Sequence, residues 1–178
     1  MTQKKFNSLI LEIKQGNIVD QPDCDAVVNA ANAQLRTGGG VAGAIHDIGD
    51  PELTEETRGM APISPGKAVI SSAPNFPNKH IIHCLGPVYG RDKPEDKLLR
   101  NCYKNALKAA DENRVKSIAF PAISTGAFGY PKREAAKIAL TTVKDISSNL
   151  KNVELVRFVL FGEDDYKLYE NMLEQVLD

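Results

Sequence analysis

The sequence predicts an α/β fold, a three-layer α/β/α sandwich around a mixed, largely parallel sheet of about six strands. Two observations predict it. Several strand-length segments are apolar at consecutive positions, as in strands that are covered on both faces. From residue 117 onward a strand, a helix, a strand and a helix follow one another, which is the order of crossover connections in a parallel sheet. Antiparallel pairing stays open for the first strands.

Each predicted strand corresponds to a short apolar run. The six runs are residues 9–13, 26–30, 68–71, 81–85, 117–123 and 155–161. Helices are predicted where apolar residues recur at steps of three and four and so share one helical face. These patterns cover residues 99–110, 136–143 and 168–176. A short helix is also predicted to start at Asp50 and Pro51, since aspartate caps helix N-termini and proline suits the first helical position.

The composition indicates one domain, residues 1–178, that is large enough to form a hydrophobic core. With 22 basic and 23 acidic residues the chain has no broad positive field, which disfavours nucleic acid as a partner and favours a monomer. The cysteines Cys24, Cys84 and Cys102 form no cluster of metal-ligand spacing, so we expect reduced thiols, no metal and no cofactor. Without a signal peptide or a long apolar segment, a cytoplasmic protein that does not contact membranes is expected.

Three unusual loops follow predicted strands. They are residues 29–40, 124–130 and 161–164. In open α/β sheets, ligands bind beyond the carboxyl ends of the strands, where such loops converge. The first loop has three consecutive glycines before a helix, where backbone N–H groups can face an anion beside the positive end of the helix dipole. The second loop, STGAFGY, has the same chemistry, and two such loops across one crevice suit a diphosphate.

Each loop alone also has a simpler interpretation. A glycine triplet is more often a flexible or tight turn, and Phe128 and Phe161 would by default be core aromatics. The shared position at one sheet edge favours the ligand interpretation. Neither loop is followed by Gly-Lys-Ser/Thr, and no G-x-G-x-x-G follows the first strand, which disfavours a nucleotide triphosphatase and a nicotinamide-dependent dehydrogenase.

Motifs distributed over essentially the whole chain point to one family. NAAN at 29–32, GGGVAGAIH from 38 onward, PAISTGAFGYP at 121–131 and VLFGEDDYKLY near the C-terminus occur in this order. In this combination the sequence resembles the macrodomains, which bind ADP-ribose. The resemblance implies the macrodomain fold, with ADP-ribose or an ADP-ribosylated protein as the partner. GGGVAGAI is closer to archaeal and bacterial members than to the MacroD type, which has GGGVDG.

Four residues match the adenine end of the macrodomain site. In the family, the acidic residue of a Gly-Asp-Ile motif accepts the adenine amino group, and this residue is Asn17 here. An amide oxygen can still accept that hydrogen bond but carries no charge, which implies somewhat weaker adenine binding. Phe161 matches the aromatic residue that stacks on adenine. The backbone around Ile18 and Asp164 is expected to lie beside the ring.

The other matches belong to the distal ribose and the diphosphate. Asn32 is similar to the asparagine that hydrogen-bonds the distal ribose, and the resemblance makes it the catalytic candidate. Phe128 resembles the aromatic residue that packs against this ribose. Backbone contacts with the diphosphate are implied for residues of both loops, namely Gly39, Gly40, Val41, Ser124, Thr125, Gly126 and Ala127.

Ala42 is the main departure from the MacroD type, in which an aspartate at this position helps to orient the ribose and a hydrolytic water. A methyl group cannot polarise water, so a mechanism that needs a carboxylate at 42 is excluded. One open function is a hydrolase that removes ADP-ribose from protein side chains or cleaves O-acetyl-ADP-ribose, with the ligand's phosphate activating the water. The alternatives are a module that binds ADP-ribose without turnover and an ADP-ribose-1″-phosphate phosphatase. Catalysis is not expected from His46, Asp47, Asp50 or His83.

Overall fold

The computed structural model describes residues 1–177. Its strands are Thr2–Phe6 (β1), Leu9–Gln15 (β2), Ala26–Ala30 (β3), Ala68–Ser72 (β4), His80–Cys84 (β5), Ser117–Phe120 (β6) and Leu155–Leu160 (β7). Its α-helices are Gly40–Gly49 (α1), Glu52–Thr57 (α2), Glu95–Glu112 (α3), Lys132–Ile146 (α4) and Glu163–Leu177 (α5). Short 3₁₀ helices follow α2 at Arg58–Met60 and α4 at Ser147–Asn149.

The strands form one mixed sheet in the order β1-β2-β7-β6-β3-β5-β4. The five central strands are parallel, and β1 and β4 pair antiparallel at the two edges. This arrangement confirms the predicted mixed, largely parallel sheet. The six predicted strands correspond to β2 to β7, so the sheet has one strand more than expected. The antiparallel pair at the start of the chain is β1 and β2, while β2 and β3 are not neighbours.

Burial on both faces of the sheet confirms the three layers. In β3, Val28 belongs to the larger core cluster with residues of α3, α4 and α5, whereas its neighbour Val27 belongs to a smaller cluster with residues of α1 and α2. Ile82 and Ile81 of β5 divide in the same way. Because successive side chains of a strand point to opposite faces, the consecutive apolar positions in the sequence are explained by helices on both sides.

The predicted helices form, although α2 begins at Glu52 with Pro51 as its N-cap residue, one residue later than predicted. Asp50 still accepts a hydrogen bond from the first turn. Its Oδ1 accepts the backbone N–H of Thr54 at 2.9 Å, which satisfies one of the free donors at the start of α2. The apolar face of α3, from Leu99 to Ala110, is fully buried against the sheet. Residues of α4 and α5 complete the same layer.

Three strands, β5, β6 and β7, end earlier than predicted, and the last two lead into predicted ligand loops. β6 ends at Phe120 because Pro121 has no N–H to donate to a strand ladder. The backbone N–H of Ile123 instead donates to the Tyr103 hydroxyl at 3.2 Å. β7 ends at Leu160, which leaves Phe161 outside the sheet. Both chain segments therefore leave the sheet at the edge where the ligand loops were predicted.

None of the helices within residues 1–177 combines the length and the apolar character that a membrane crossing requires. In the same part of the chain, no three His, Cys, Asp or Glu side chains converge as ligands of a metal ion.

Candidate functional site

A cavity of about 760 Å³ lies beyond the carboxyl ends of four adjacent parallel strands, β2, β7, β6 and β3. The structure brings all but one of the predicted ligand residues to its wall. These are Asn17, Ile18, Asn32, Gly39, Gly40, Val41, Ser124, Thr125, Gly126, Ala127, Phe128 and Phe161. The exception is Asp164, which does not line the cavity; the next residue on α5, Asp165, does.

The first loop connects β3 to α1 and is organised by Asn32. Its Nδ2 donates to the carbonyl of Arg36 at 2.8 Å, and its Oδ1 accepts the N–H of Arg36 at 3.2 Å. Leu35, which has a positive φ of 55°, is fully buried, and its burial anchors the loop. Asn32 thus shapes the loop that carries the glycines, and it also faces the cavity.

Gly38 of this loop and Gly43 of α1 allow the backbone to pack closely. A β-carbon at Gly43 would lie 2.5 Å from the carbonyl oxygen of Gly38, and one at Gly38 would lie 3.2 Å from Asn32 Nδ2. Gly40 has a φ of +56°, which strains any other residue. Nothing lies within 4 Å of a β-carbon at Gly39 or Gly40, and both residues line the cavity.

The N-terminus of α1 presents free donors to the cavity. The N-cap residue Gly39 supplies no side-chain hydrogen bond, and the first turn of the helix has no acidic residue. The N–H groups of Gly39 and Gly40 have no backbone acceptor within residues 1–177. Since the first N–H groups of a helix and its dipole favour negative charge, this wall of the cavity suits an anion.

The second loop faces the first from the end of β6. It closes on itself through the N–H of Gly129, which donates to the carbonyl of Gly126 at 3.0 Å, and the N–H of Tyr130, which donates to that of Ser124 at 2.8 Å. The carbonyl of Phe128 accepts the N–H of Tyr89 at 2.9 Å. Among the described residues, no backbone acceptor serves the N–H groups of Thr125, Gly126 and Ala127. A second set of peptide donors therefore borders the same cavity.

Phe161 and Asn17 mark the opposite end of the cavity. They follow adjacent parallel strands in which Gln15 pairs with Leu160, so the two residues leave the sheet side by side. Phe161 is 83% exposed, which rules out the core position that an aromatic residue has by default. An exposed ring beside polar groups offers a stacking surface for a planar ligand.

The cavity contains almost no titratable chemistry. Its only ionisable lining residues within the described chain are Lys132 and Asp165, and they pair with each other, with Nζ to Oδ1 at 2.9 Å. Sequence reasoning missed both, although each lies in the first turn of a helix that follows one of the predicted loops. Gly86, which also lines the cavity, was missed because only tertiary packing brings it beneath the second loop.

The other acid/base candidates lie elsewhere. His46 is 1% exposed, and its Nδ1–H donates to Asp50 Oδ2 at 2.9 Å. Burial acts to raise the pKa of Asp50, but hydrogen bonds from Thr54 and His46 hold it below its ordinary value. His83 is fully buried, and burial lowers its pKa to about 3. None of these three side chains lines the cavity.

Ala42 faces the cavity from the first turn of α1 and is 4% exposed. The position at which the MacroD type carries aspartate is therefore a wall position here, next to the free donors of the helix N-terminus. Its methyl group adds surface but no hydrogen bond.

Known proteins resemble this chain along most of its length. The family model "Macro domain" matches residues 28–139. A macro domain-containing protein of Caldanaerobacter subterraneus subsp. tengcongensis is 46% identical, over 93% of this chain and 97% of the relative. An O-acetyl-ADP-ribose deacetylase of Escherichia fergusonii is 44% identical, over 93% of this chain and 96% of that protein.

Solved structures agree with these matches. A variant of the Oceanobacillus iheyensis macrodomain with ADPR superimposes with a TM-score of 0.93 at 37% identity, covering 99% of this chain and 98% of that one. The Trypanosoma brucei macrodomain in complex with ADP-ribose gives a TM-score of 0.83 at 34% identity, over 90% of this chain and 68% of that chain. Fold, sequence and the matched motifs agree, and the chain belongs to the Macro domain family.

Proposed function

We propose that the chain binds ADP-ribose and hydrolyses mono-ADP-ribose from protein side chains or related esters such as O-acetyl-ADP-ribose. The observation that carries the proposal is the pair of peptide-donor loops, around Gly39 and around Gly126, that face each other across one cavity. Donors on two sides suit a diphosphate better than a single phosphate. The relatives named as deacetylases and the structures with ADP-ribose support the same assignment.

The positions of the lining residues support one direction for the bound ligand. In the proposed pose the base stacks on Phe161 beside Asn17 and Ile18, and the diphosphate lies between the two loops. The distal ribose then reaches Asn32 and Phe128, at the end of the cavity that borders Ala42. The partner is accordingly ADP-ribose itself or an ADP-ribosylated protein whose modified side chain enters at this end.

Uncharged donors would carry most of the diphosphate binding. Peptide N–H groups do not titrate, and hydrogen bonds from them to a charged oxygen are stronger than those to neutral acceptors. Lys132 is the one cation of the lining within residues 1–177, and it is 57% exposed at the cavity mouth. Its contribution is modest because solvent screens it.

Hydrolysis would depend on position and on the ligand more than on a protein base. Water attacks the anomeric carbon or the ester carbonyl, the bond to the leaving group breaks, and the proton passes to solvent. A phosphate oxygen of the ligand orients the water, and Asn32 holds the ribose while its amide keeps the first loop in place. Correct positioning alone can lower such a barrier by several kcal/mol.

The second candidate function is binding without turnover, and Ala42 is the observation that favours it. Among the described residues, no carboxylate other than Asp165 lines the cavity, and Asp165 pairs with Lys132. A module of this kind would hold an ADP-ribosylated protein and leave the bond intact. Dephosphorylation of ADP-ribose-1″-phosphate is a further alternative that the same cavity could serve.

Two measurements test the proposal. Calorimetric titration with ADP-ribose is expected to give a Kd in the micromolar range, and no binding at high micromolar concentration would refute the family-level function. Incubation with a mono-ADP-ribosylated protein and with O-acetyl-ADP-ribose then separates the classes, because a hydrolase releases the label or acetate and a binding module retains it.

Asn32→Ala tests the catalytic assignment. The variant is expected to lose at least about tenfold in turnover, since one lost hydrogen bond to a charged or polarised group is worth roughly this factor. Asn113→Ala is the matched control, because Asn113 makes the same kind of bond, to the carbonyl of Ala109 at 2.8 Å, but does not line the cavity. Unchanged turnover in Asn32→Ala would contradict the assignment.

A further inference from the structure

The side-chain amide of Asn17 has a defined orientation. It accepts the backbone N–H of Val19 at 3.2 Å. A backbone N–H can only donate, so the atom that faces it is Oδ1 and the other arm of the amide is Nδ2. Within residues 1–177 Nδ2 has no hydrogen-bond partner, and Asn17 lines the cavity. The free arm of this side chain is therefore a donor.

The turn that carries Asn17 is held firmly. Its carbonyl accepts the N–H of Asp20 at 3.0 Å and Nε2 of Gln21 at 2.9 Å. Gln21 is 1% exposed, and its Oε1 accepts Nη1 of Arg157 at 3.0 Å. Because several bonds fix this backbone, reversing the amide would sacrifice the Val19 bond without a compensating partner.

Arg157 fixes Gln21, which in turn holds the turn that carries Asn17. Arg157 is 5% exposed, and it donates to Glu12 Oε2 at 2.8 Å and to Asp23 Oδ2 at 2.7 Å. The hydrogen bond from Arg157 lowers the pKa of Asp23 to about 2, so the pair stays charged at neutral pH. An ionic cluster centred on the buried Arg157 thus supports, through Gln21, the turn that carries Asn17.

A hydrogen-bond donor at this position changes which purine bases the site can recognise. The 6-position of adenine is an amino group, a donor, whereas hypoxanthine and guanine carry a carbonyl oxygen there, an acceptor. Two donors facing each other leave both unpaired, while a donor and an acceptor form a hydrogen bond. A carboxylate in place of Asn17 would have the opposite preference, because both its oxygens only accept.

On the basis of the proposed function, we infer that Asn17 is a specificity-determining residue whose free Nδ2 lets the site accept 6-oxopurine nucleoside diphosphates as well as adenine ones. The stacking surface of Phe161 makes no distinction among purines, since every purine has the same kind of π-face. Among the side chains at this end of the cavity, the amide of Asn17 is therefore the group that discriminates at the 6-position.

The test compares ADP with inosine diphosphate, which differ only at the 6-position and N1 of the purine. Isothermal titration of the wild-type chain is expected to give Kd values within about threefold of each other, or tighter binding of inosine diphosphate. Asn17→Asp is expected to favour ADP by about tenfold, because a carboxylate oxygen accepts the amino group and repels the carbonyl. Asn113→Asp adds the same charge at the C-terminus of α3 and should keep the wild-type ratio.

The outcomes separate this inference from the function on which it rests. A wild-type preference for ADP above about threefold, or a ratio that Asn17→Asp leaves unchanged, overturns the role of Asn17 and leaves ADP-ribose binding intact. If ADP, inosine diphosphate and ADP-ribose all fail to bind, both the inference and the proposed function are wrong.

Discussion

Ser124 packs directly against the backbone of Gly86: a β-carbon at position 86 would stand 2.1 Å from Ser124 Oγ and 2.6 Å from Ile123 Cγ2. Ser124 also has a positive φ of 67°, and its buried Oγ has no hydrogen-bond partner among the residues described. The strained first residue of the second loop is therefore accommodated by the missing side chain at Gly86.

Replacing Gly86 by alanine should disturb binding as well as stability. The new methyl group must displace Ser124 and with it the peptide donors that follow, and overpacking of this kind costs about 1–3 kcal/mol. We expect a lower Tm and at least about tenfold weaker ADP-ribose binding in calorimetry. Gly59→Ala is the control, because nothing lies within 4 Å of a β-carbon there. Wild-type affinity in Gly86→Ala would show that the second loop adapts freely.

Ala42→Asp should raise the rate of hydrolysis. The carboxylate would enter the first turn of α1, where the helix dipole favours negative charge and where no acidic residue is present. From there it can accept a proton from water near the distal ribose, and general-base catalysis typically contributes about 10²- to 10⁴-fold. The measurement is kcat and KM for release of mono-ADP-ribose.

Ala42→Asn is the matched control, since it has nearly the same shape but cannot take a proton. If the rate of hydrolysis increases in both variants, the effect is due to positioning of the ribose and not to proton transfer. No increase in Ala42→Asp, with binding retained, would mean that the water does not lie near position 42.

Removing the positive charge of Lys132 at the cavity mouth should weaken ADP-ribose binding slightly. Lys132→Ala deletes the positive charge near the diphosphate, and since the side chain is 57% exposed, we expect only about a two- to fivefold rise in Kd. The effect should shrink at high salt. Asp165→Asn is the companion variant, because it breaks the same ion pair but keeps Lys132, and its Kd should equal or fall below that of the wild type. Weaker ADP-ribose binding by Asp165→Asn would mean that the ion pair between Lys132 and Asp165 itself shapes the site.

Protonation of His83 should limit stability in mild acid. Asn29 Nδ2 lies 3.1 Å from its Nδ1 and Ser71 Oγ lies 2.9 Å from its Nε2, so the neutral ring is held between two polar side chains. Burial lowers its pKa to about 3, so the unfolded chain takes up a proton as the pH falls below about 6.5 while the native chain does not. Stability is therefore complete above this pH and declines below it.

Urea unfolding between pH 6 and 5 measures this decline. The free energy of unfolding of the wild type should fall more steeply than that of His83→Gln, by about 1 kcal/mol per pH unit. Equal slopes in the two proteins would contradict the assignment, whatever their absolute stabilities at pH 7.

Much of the sheet could be predicted because its signal is local. The adjacent valines 27 and 28 of β3 indicated burial on both faces, and the structure places them in different core clusters. β1 escaped prediction because Lys4 and Lys5 are exposed on an edge strand, whose formation depends on pairing with β2 and not on its own apolar content. Edge strands of this kind carry little hydrophobic pattern to detect.

The site, like the sheet, has features that could be predicted from the sequence and others that could not. Glycines at strand ends are visible in the sequence, so the two loops and their donors could be predicted. Lys132, Asp165 and Gly86 belong to the same cavity but were not, because each acts through a neighbour from another part of the chain. The orientation of the Asn17 amide likewise depends on the turn to Val19, which residue identity alone does not define.

The free peptide donors of the two loops have a consequence for how this protein can evolve. Substitutions at Thr125 or Ala127 exchange a side chain and leave the N–H group in place, so neutral drift at these positions need not remove the diphosphate site. A position is closed to change where a new β-carbon meets backbone, as at Gly43 against the carbonyl of Gly38, or where φ is positive, as at Gly40. The rate of turnover, by contrast, would depend strongly on the single codon at 42. A lineage could raise or lower that rate by mutating this codon while its ligand site persisted unchanged.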